Sequence, residues 1–322
     1  MKRHWIEWAE RYLYNPSFAQ QVISYLLFPI SMLYCAAAYI RYRSATPKSM
    51  DIAVISIGNL TVGGSGKTPL ILELAKKFDK PAIVLRGYGR RSRGTVVVKE
   101  ERQILCDTQT SGDEAMLYAR SLAHAIVIVS EKREAGIEKA REMGCEVVFL
   151  DDGYGKHQIE KLDLLIDVPT VNSFCLPSGP YREKLWPGKQ IVPVRESVEF
   201  SRYVQIENPT SKMVLVTAIA RPQRLDPYLP EVMDKIYFED HHFFTERELR
   251  EILDKSGATS LLVTEKDLVK IASYGFEYSV LKLSLQVDES ITSTIKEYVY
   301  ATKNRNRQDF DGCDAVHQRI SG

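Results

Sequence analysis

The 322-residue sequence predicts an α/β fold: a parallel sheet with helices on both faces, a second, smaller α/β domain and an apolar N-terminal helix. Two observations predict the sheets. Short apolar, β-branched runs alternate with helix-like stretches, as in βα units, and this alternation restarts after a loop rich in Pro and Gly at residues 176–188. A third observation predicts the N-terminal helix, because residues 22–40 carry no charge.

The N-terminal run is close to the roughly 20 apolar residues that a membrane-crossing helix needs. Pro29, Ser24 and Ser31 interrupt it, and basic residues on both sides give no clear orientation. A buried core helix and a membrane contact explain the run about equally well. The neighbouring aromatic residues favour a helix that lies in the interface of one leaflet; they are Trp5, Trp8, Tyr12 and Tyr14.

Four regions follow: a membrane-associated helical segment at 1–45, an α/β core at 46–170, a smaller α/β domain at 171–302 and a flexible tail at 303–322. Lys and Arg number 43 and Asp and Glu 42, so the net charge of +1 gives no bulk signal for nucleic acid as a partner. Five scattered cysteines without a CxxC pair favour a reducing compartment over a disulfide framework or a zinc site.

Within the first core, the runs that predict buried strands are Ile52–Ile57, Ala82–Leu85, Ala125–Val129 and Glu146–Leu150. Charged helical patterns separate them, and Thr95–Leu105 predicts an inserted antiparallel ribbon. In the second domain, strands are predicted at Met213–Ile219, Ser260–Thr264 and Ser279–Leu285. A helix with a capping box at Thr245 and Glu248 lies between the first two. The residues after 302 show no periodicity.

A phosphate-binding P-loop follows the first strand. Its usual pattern begins with Gly, but here the residues are Thr61, Val62, Gly63, Gly64, Ser65, Gly66, Lys67 and Thr68. The first position forms the opening turn, so Thr61 need not impair phosphate binding. The glycines let successive N–H groups surround phosphate oxygens at a helix N-terminus. Lys67 would reach the β- and γ-phosphates, and the Thr68 hydroxyl would bind Mg²⁺.

A P-loop also needs a carboxylate at the end of a neighbouring strand for the metal. Asp151 and Asp152 follow a five-residue strand and supply it, so we expect ATP and Mg²⁺ as cofactors. The stretch TEKD at Thr264–Asp267 resembles a guanine-reading motif, but its lysine is one place late. This favours ATP over GTP. The sheet is therefore predicted to be of P-loop NTPase type.

Several blocks occur in the order found in the tetraacyldisaccharide 4′-kinase family: GNLTVGGSGKTP, LRGYGRRSRG, GDEA, LDDGY, LPSGPYRE, EDHHFF and VTEKD. The sequence resembles this family from about residue 57 to 270. The resemblance implies transfer of the ATP γ-phosphate to the 4′-hydroxyl of a tetraacyl glucosamine disaccharide 1-phosphate, giving lipid IVA for lipid A. It implies a place at the cytoplasmic face of the bacterial inner membrane, against its lipid surface. We expect no obligate protein partner.

The resemblance also implies catalytic residues. The family's candidate base matches Asp113, and the histidine thought to pair with it matches His241. A carboxylate can accept the proton of a sugar hydroxyl during phosphoryl transfer. Without the family, Asp113 would be interpreted as a helix N-cap and His241 as an ordinary loop histidine. Because the two lie in different halves of the chain, we expect the site in a cleft between the halves.

Further residues are candidates for substrate binding: Tyr88, Arg133, Arg182 and Glu183. Arg182 could bind a phosphate through its planar guanidinium group. One block departs from the family, because Lys156 stands where a histidine is expected and His157 comes one place later. Two alternative functions stay open. A membrane-associated switch ATPase usually carries a lysine at the place of Val62, and a kinase of a soluble molecule leaves the apolar N-terminus unexplained.

Overall fold

The computed structural model describes residues 2–63, 65–219, 222–240 and 242–320. The chain begins with helices α1 (Lys2–Tyr14) and α2 (Phe18–Arg43), and α/β layers follow. A capping box at Ser17 and Gln20 starts α2, which is uninterrupted through the internal Pro29. The predicted apolar N-terminal helix and the α/β fold class are confirmed.

In the described chain, eight strands form the first sheet: β1 (Ala53–Gly58), β2 (Pro81–Leu85), β3 (Val96–Glu100), β4 (Gln103–Ile104), β5 (Ile126–Val129), β6 (Val147–Asp151), β7 (Leu162–Ile166) and β8 (Val192–Val194). Their order is β4-β3-β5-β2-β6-β1-β7-β8. The sheet is parallel except at β3 and β4, which pair antiparallel and form the predicted ribbon. The near-continuous apolar sequences of β1, β2, β5 and β6 suit strands buried on both faces.

Helices cover both faces of this sheet, as predicted. The connections carry α3 (Lys67–Ala75), α4 (Thr108–Ser111), α5 (Asp113–Ser121) and α6 (Arg133–Glu142). Leu70 of α3 and Tyr118 of α5 pack with Ile55 on one face. Ile137 of α6 packs with Val54 on the other. The sheet therefore holds the carboxyl end of β1 at a fixed position between two helical layers.

The second sheet contains β9 (Phe200–Glu207), β10 (Met213–Thr217), β11 (Lys235–Tyr237), β12 (Ser260–Thr264) and β13 (Tyr278–Val287), in the order β11-β10-β12-β13-β9. It is parallel except for the β13–β9 pair. Its helices are α7 (Glu246–Ser256), α8 (Glu265–Ile271) and α9 (Glu289–Ile320). The predicted capping box begins α7, where the Thr245 hydroxyl accepts a hydrogen bond from the Glu248 amide.

The two sheets share apolar core. Leu70 of α3 belongs to the same buried cluster as Phe200 of β9 and Leu285 of β13. Helix α9 returns to the first sheet through Ile291 and Ile295, which are buried in that cluster. The strands of the second sheet begin at Phe200, whereas residues 192–194 still pair with β7. The division of the chain into the four expected regions stays a prediction.

Helix α9 continues through residues 303–320 up to Ile320, although the sequence shows no periodicity there; the expected flexibility of this tail stays a prediction. A sequence pattern detects a helix mainly by a periodic buried face. Among the side chains of α9 that the structure describes, the buried apolar ones are Ile291, Ile295 and Val299. The later turns extend an anchored helix, so they require no apolar periodicity of their own.

Candidate active site

The predicted P-loop connects β1 to α3. Helix α3 begins at Lys67, and Gly66 precedes it with a φ of 84°, in the left-handed region that favours glycine. A Cβ atom at Gly66 would lie 2.7 Å from Nη2 of Arg202, the end of a flexible side chain that could move aside, so the backbone φ is what requires glycine here. Gly64 lies outside the described residues. The loop thus ends at a helix N-terminus, where backbone N–H groups favour an anion.

Lys67 points back over the loop. Its ammonium donates to Oδ1 of Asn59 at 3.0 Å and lies 3.6 Å from Oδ1 of Asp152. Asn59 in turn donates to the carbonyl and the hydroxyl of Thr61, at 2.7 and 3.0 Å. The Thr61 side chain is buried and holds the opening turn together. This explains how the loop tolerates Thr where the usual pattern has Gly.

Asp151 ends β6, the strand beside β1, and pairs in register with Ile57. It is buried, and its Oδ2 accepts a hydrogen bond of 3.0 Å from the Tyr118 hydroxyl. Burial, together with the neighbouring Glu114 carboxylate, raises the pKa of Asp151 to about 7. The Lys67 ammonium acts in the opposite direction. An added cation here would stabilise the ionised carboxylate.

Asp152 has a different environment. Arg182 binds its carboxylate with both terminal nitrogens, and the Nη1–Oδ2 distance is 2.7 Å. Burial raises the pKa of Asp152, but Lys67 and Arg182 outweigh this and hold it below its usual range. The guanidinium predicted to bind a phosphate therefore already neutralises a carboxylate. Of the two aspartates, Asp151 has the freer oxygen atoms for a metal.

The donor set fits Mg²⁺ at this point. No cluster of three or more His, Cys, Asp or Glu side chains suited to a metal occurs in the described ranges. Mg²⁺ usually takes one or two protein oxygens and completes its shell with phosphate oxygens and water. The Thr68 hydroxyl and the Asp151 carboxylate both line one cavity and could supply those protein oxygens. Asp152 stays a candidate for contact with the metal through a water molecule.

A cavity of about 580 Å³ lies over the P-loop between the two sheets. Arg133, at the start of α6, lines it and is buried; its Nη1 donates to the Ser130 carbonyl at 2.6 Å. Its buried Nε has no hydrogen-bond partner among the described residues. Burial lowers the pKa of Arg133, while the carboxylates of Asp151 and Asp152 raise it. A buried donor without a partner at this place suits a phosphate oxygen.

The opposite wall comes from the second sheet, as expected for a cleft between the halves, but its individual residues were not predicted from the sequence. Lys266, in the TEKD stretch, lies 3.4 Å from Asp240 and 4.0 Å from Glu114 of α5. Thr264 caps α8 by accepting from the Asp267 amide. The stretch thus starts a helix and presents a lysine to the cavity. Its position after β12 was the only signal for this role. Apolar side chains complete this wall: Ile219, Leu225, Tyr228, Leu281 and Leu283.

Asp113 begins α5 directly before Glu114, which lines the cavity, but is not itself among the lining residues. Its Oδ1 accepts from the Glu114 amide at 3.0 Å, and its Oδ2 lies 3.7 Å from the buried Lys270 ammonium of α8. Gly112 precedes it with a φ of 85°, and a Cβ there would lie 3.0 Å from the Tyr88 carbonyl oxygen. His241 lies outside the described residues, so its pairing with Asp113 stays a prediction.

The remaining predicted residues separate into two groups. Tyr88 lines the cavity and is exposed, as a substrate contact requires. Glu183 is buried and is not among the lining residues. Its carboxylate accepts from Arg41 and from Nε1 of Trp186, and lies 3.7 Å from Nε2 of His157. This favours a structural role for Glu183. His157, one place late in the family pattern, is part of the same buried cluster.

Comparisons with known proteins agree with this geometry. The family model for tetraacyldisaccharide-1-P 4′-kinase (LpxK) matches residues 23–194 and 189–300. The tetraacyldisaccharide 4′-kinase of Helicobacter pylori (strain HPAG1) is 46% identical over 294 residues, which cover 90% of this chain and 94% of that protein. That of Aliarcobacter butzleri is 41% identical, with 92% and 98% covered.

Among solved structures, LpxK from Aquifex aeolicus in complex with ATP is similar, with a TM-score of 0.67 and 25% identity. The match covers 87% of this chain and 99% of that one. The similarity extends through both sheets rather than the P-loop alone. The chain belongs to the tetraacyldisaccharide 4′-kinase family.

Proposed function

We propose that this chain is a kinase that transfers the γ-phosphate of ATP to the 4′-hydroxyl of tetraacyldisaccharide 1-phosphate. Family membership supports the reaction. The observation that carries it is the joint presence of Lys67, Thr68 and Asp151 in one cavity, whose far wall comes from the second sheet. A P-loop alone supports the binding of a nucleotide, and the acceptor is assigned from family membership. The comparisons do not favour a switch ATPase.

In this proposal the ATP phosphates lie at the N-terminus of α3, where backbone N–H groups and Lys67 meet their charge. Arg133 binds a phosphate oxygen through its unpaired Nε. The adenine packs on the apolar far wall, against Leu225 and Leu281. Bound Mg²⁺, held through Thr68 and Asp151, would neutralise charge on the phosphate oxygens. These contacts orient the γ-phosphate toward the open part of the cavity.

Asp113 is the proposed base. As the 4′-oxygen bonds to the γ-phosphorus, its proton passes to the Asp113 carboxylate, and the bond from the γ-phosphorus to the bridging oxygen of ADP breaks. The Lys270 ammonium lies 3.7 Å from that carboxylate. Lys67 stabilises the charge on the oxygens of the phosphoryl group in transit. The products are ADP and the 4′-phosphorylated disaccharide.

Helix α2 supports a place at the inner membrane, on its cytoplasmic face. By length and composition it could cross a membrane, and only 17% of its most apolar 18-residue window is buried. Phe18, Leu26 and Leu33 are 83%, 74% and 73% exposed. A core helix would bury such side chains, so the alternative of a core helix does not explain them. We propose that this face contacts lipid, where the acylated acceptor also resides.

The product of the reaction tests the proposal. Purified chain, ATP labelled at the γ-phosphate and tetraacyldisaccharide 1-phosphate in detergent micelles should give a labelled lipid. The matched control is the same acceptor without its 4′-hydroxyl, which should take no label. Label in the 4′-deoxy acceptor, or no labelled lipid with either, would contradict the proposed reaction.

A further inference from the structure

The buried and half-buried residues of helix α2 lie along one narrow seam. The residues of this seam repeat at intervals of three or four: Gln20, Ser24, Leu27, Ser31, Cys35, Ala38 and Tyr42. Most are small or polar, whereas most large apolar side chains of α2 are exposed, among them Leu26, Ile30 and Leu33. Small side chains allow close approach of the helix. The exposed face serves lipid contact, so the polar seam calls for a separate explanation.

The seam binds a stretch that we name the bridging segment, residues 174–187. The Ser24 hydroxyl donates to the carbonyl oxygen of Ser178 at 2.6 Å, and the Ser178 amide donates to the Ser31 hydroxyl at 2.8 Å. All three serines are buried. Tyr34 donates to the Arg182 carbonyl at 3.1 Å. The helix therefore fixes both backbone groups of Ser178 and one of Arg182.

The bridging segment in turn holds the start of the P-loop. The Val62 amide donates to the Pro180 carbonyl at 2.9 Å, and the Arg182 amide donates to the Leu60 carbonyl at 2.9 Å. Thr61 and Tyr181 form an antiparallel bridge between these bonds. The first three residues of the loop region are thus paired as a short ribbon with the segment that α2 holds.

A second contact reaches the same loop from the N-terminal helices. The Tyr14 hydroxyl, at the end of α1, donates to the carbonyl oxygen of Val62. Val62 is therefore held through its amide by the bridging segment and through its carbonyl by Tyr14. The P-loop is therefore held both by α1, directly through Tyr14, and by α2, through the bridging segment.

We propose that Ser24, Ser31 and Tyr14 are positioning residues for the phosphate-binding loop, so that the N-terminal helices set nucleotide affinity in addition to contacting lipid. The inference rests on the proposed function in that it takes this loop to bind ATP. A glycine-rich loop has many backbone conformations, and binding is tighter when it is already ordered. The residues act through the backbone of 60–62 and do not touch the nucleotide.

The test compares the seam with the exposed face. Ser24→Ala combined with Ser31→Ala, and separately Tyr14→Phe, should raise the Kd for ATP of the full chain in detergent micelles about fivefold. Saturating ATP should restore most of kcat, because the defect lies in binding. Partition onto phosphatidylglycerol-containing vesicles should not change. Tyr25→Phe is the matched control, because Tyr25 is an exposed tyrosine of α2 that packs on Phe174.

Leu26→Ser combined with Leu33→Ser should give the opposite pattern, with weaker vesicle partition and an unchanged Kd for ATP. If the variant that combines Ser24→Ala with Ser31→Ala does not fold, Tyr14→Phe decides, since it removes one hydroxyl at a half-buried site. An unchanged Kd in folded Tyr14→Phe would overturn the inference alone. Failure of the wild-type chain to bind ATP would overturn the proposed function and the inference together.

Discussion

The two walls of the cavity are built differently. On the P-loop side, Lys67 and Thr68 are adjacent in sequence, and Asp151 ends the neighbouring strand, so a local motif and one strand pairing complete the phosphate site. On the far side, Lys266 meets Asp240 and Glu114, which come from separate elements. We propose that the near wall, formed by Lys67, Thr68 and Asp151, acts on the transferred phosphoryl group, whereas the far wall, which includes Lys266, holds the two halves together and positions the nucleotide.

Replacement of Lys67, the cation of the near wall, should have the largest effect on turnover. Lys67→Met removes the charge that stabilises the phosphoryl group in transit, and kcat should fall by about 10³-fold, as for other groups that act in the transition state. Steady-state kinetics with the lipid acceptor would measure it. Lys76→Met is a control at the opposite end of α3, because Lys76 pairs with Glu73 at the surface. A kcat within tenfold of wild type would remove Lys67 from this role.

Asp113, the proposed base, begins α5 beside Glu114 of the cavity lining. Asp113→Asn keeps a side chain that can accept the bond from the Glu114 amide but cannot take a proton. We expect kcat to fall by about 10²-fold or more. Asp107→Asn is the control, since Asp107 caps the neighbouring α4 outside the cavity. Near wild-type turnover by Asp113→Asn would show that another group accepts the proton.

The near wall should also respond to pH. The pKa of Asp151 is raised to about 7, so its carboxyl is mostly neutral at pH 6 and ionised at pH 8. A neutral carboxyl is a poor Mg²⁺ ligand, and the Mg²⁺-dependent part of ATP affinity should therefore rise about tenfold from pH 6 to 8. Calorimetric titration with Mg²⁺ or with EDTA would measure it. Asp151→Asn should abolish the trend, and a trend that survives this change would belong to another group.

Replacement of Lys266, the cation of the far wall, should have the smallest effect on catalysis. Lys266→Met leaves Asp240 and Glu114 without their shared ammonium, which we expect to lower kcat/KM about fivefold, chiefly through KM. The same kinetic assay applies. A loss of kcat as large as that of Lys67→Met would break the comparison, because both walls would then act on the phosphoryl group.

The sequence predicts the near wall better than the far wall for a physical reason. Lys67, Thr68 and Asp151 follow from strand ends and a glycine-rich turn, which are local features. The Arg182–Asp152 pair joins residues 30 positions apart, and either side chain alone suggests a phosphate or metal contact. Lys266 was set aside because its stretch was compared with a guanine motif, and only the packing of α8 against α5 brings it to the cavity.

For helix α2, too, the sequence predicts only part of the role. Its composition indicates lipid, and the exposed apolar face agrees. The serines that interrupt the apolar run look like defects in a membrane helix, yet Ser24 and Ser31 form the seam to the bridging segment. Their role depends on Ser178, about 150 residues later, so no periodicity could reveal it. The fold class was predictable because it depends on patterns that repeat along the chain.

The central claim is that ATP turnover in this cavity requires a lipid-borne hydroxyl. The most direct test is the rate of ADP formation by the wild-type chain with and without tetraacyldisaccharide 1-phosphate. We predict ADP in a one-to-one ratio with phosphorylated lipid, and a rate at least about 10²-fold lower without acceptor, because water lacks the binding contacts that orient the hydroxyl. Equal ADP formation without acceptor, with no phosphorylated lipid, would contradict the claim.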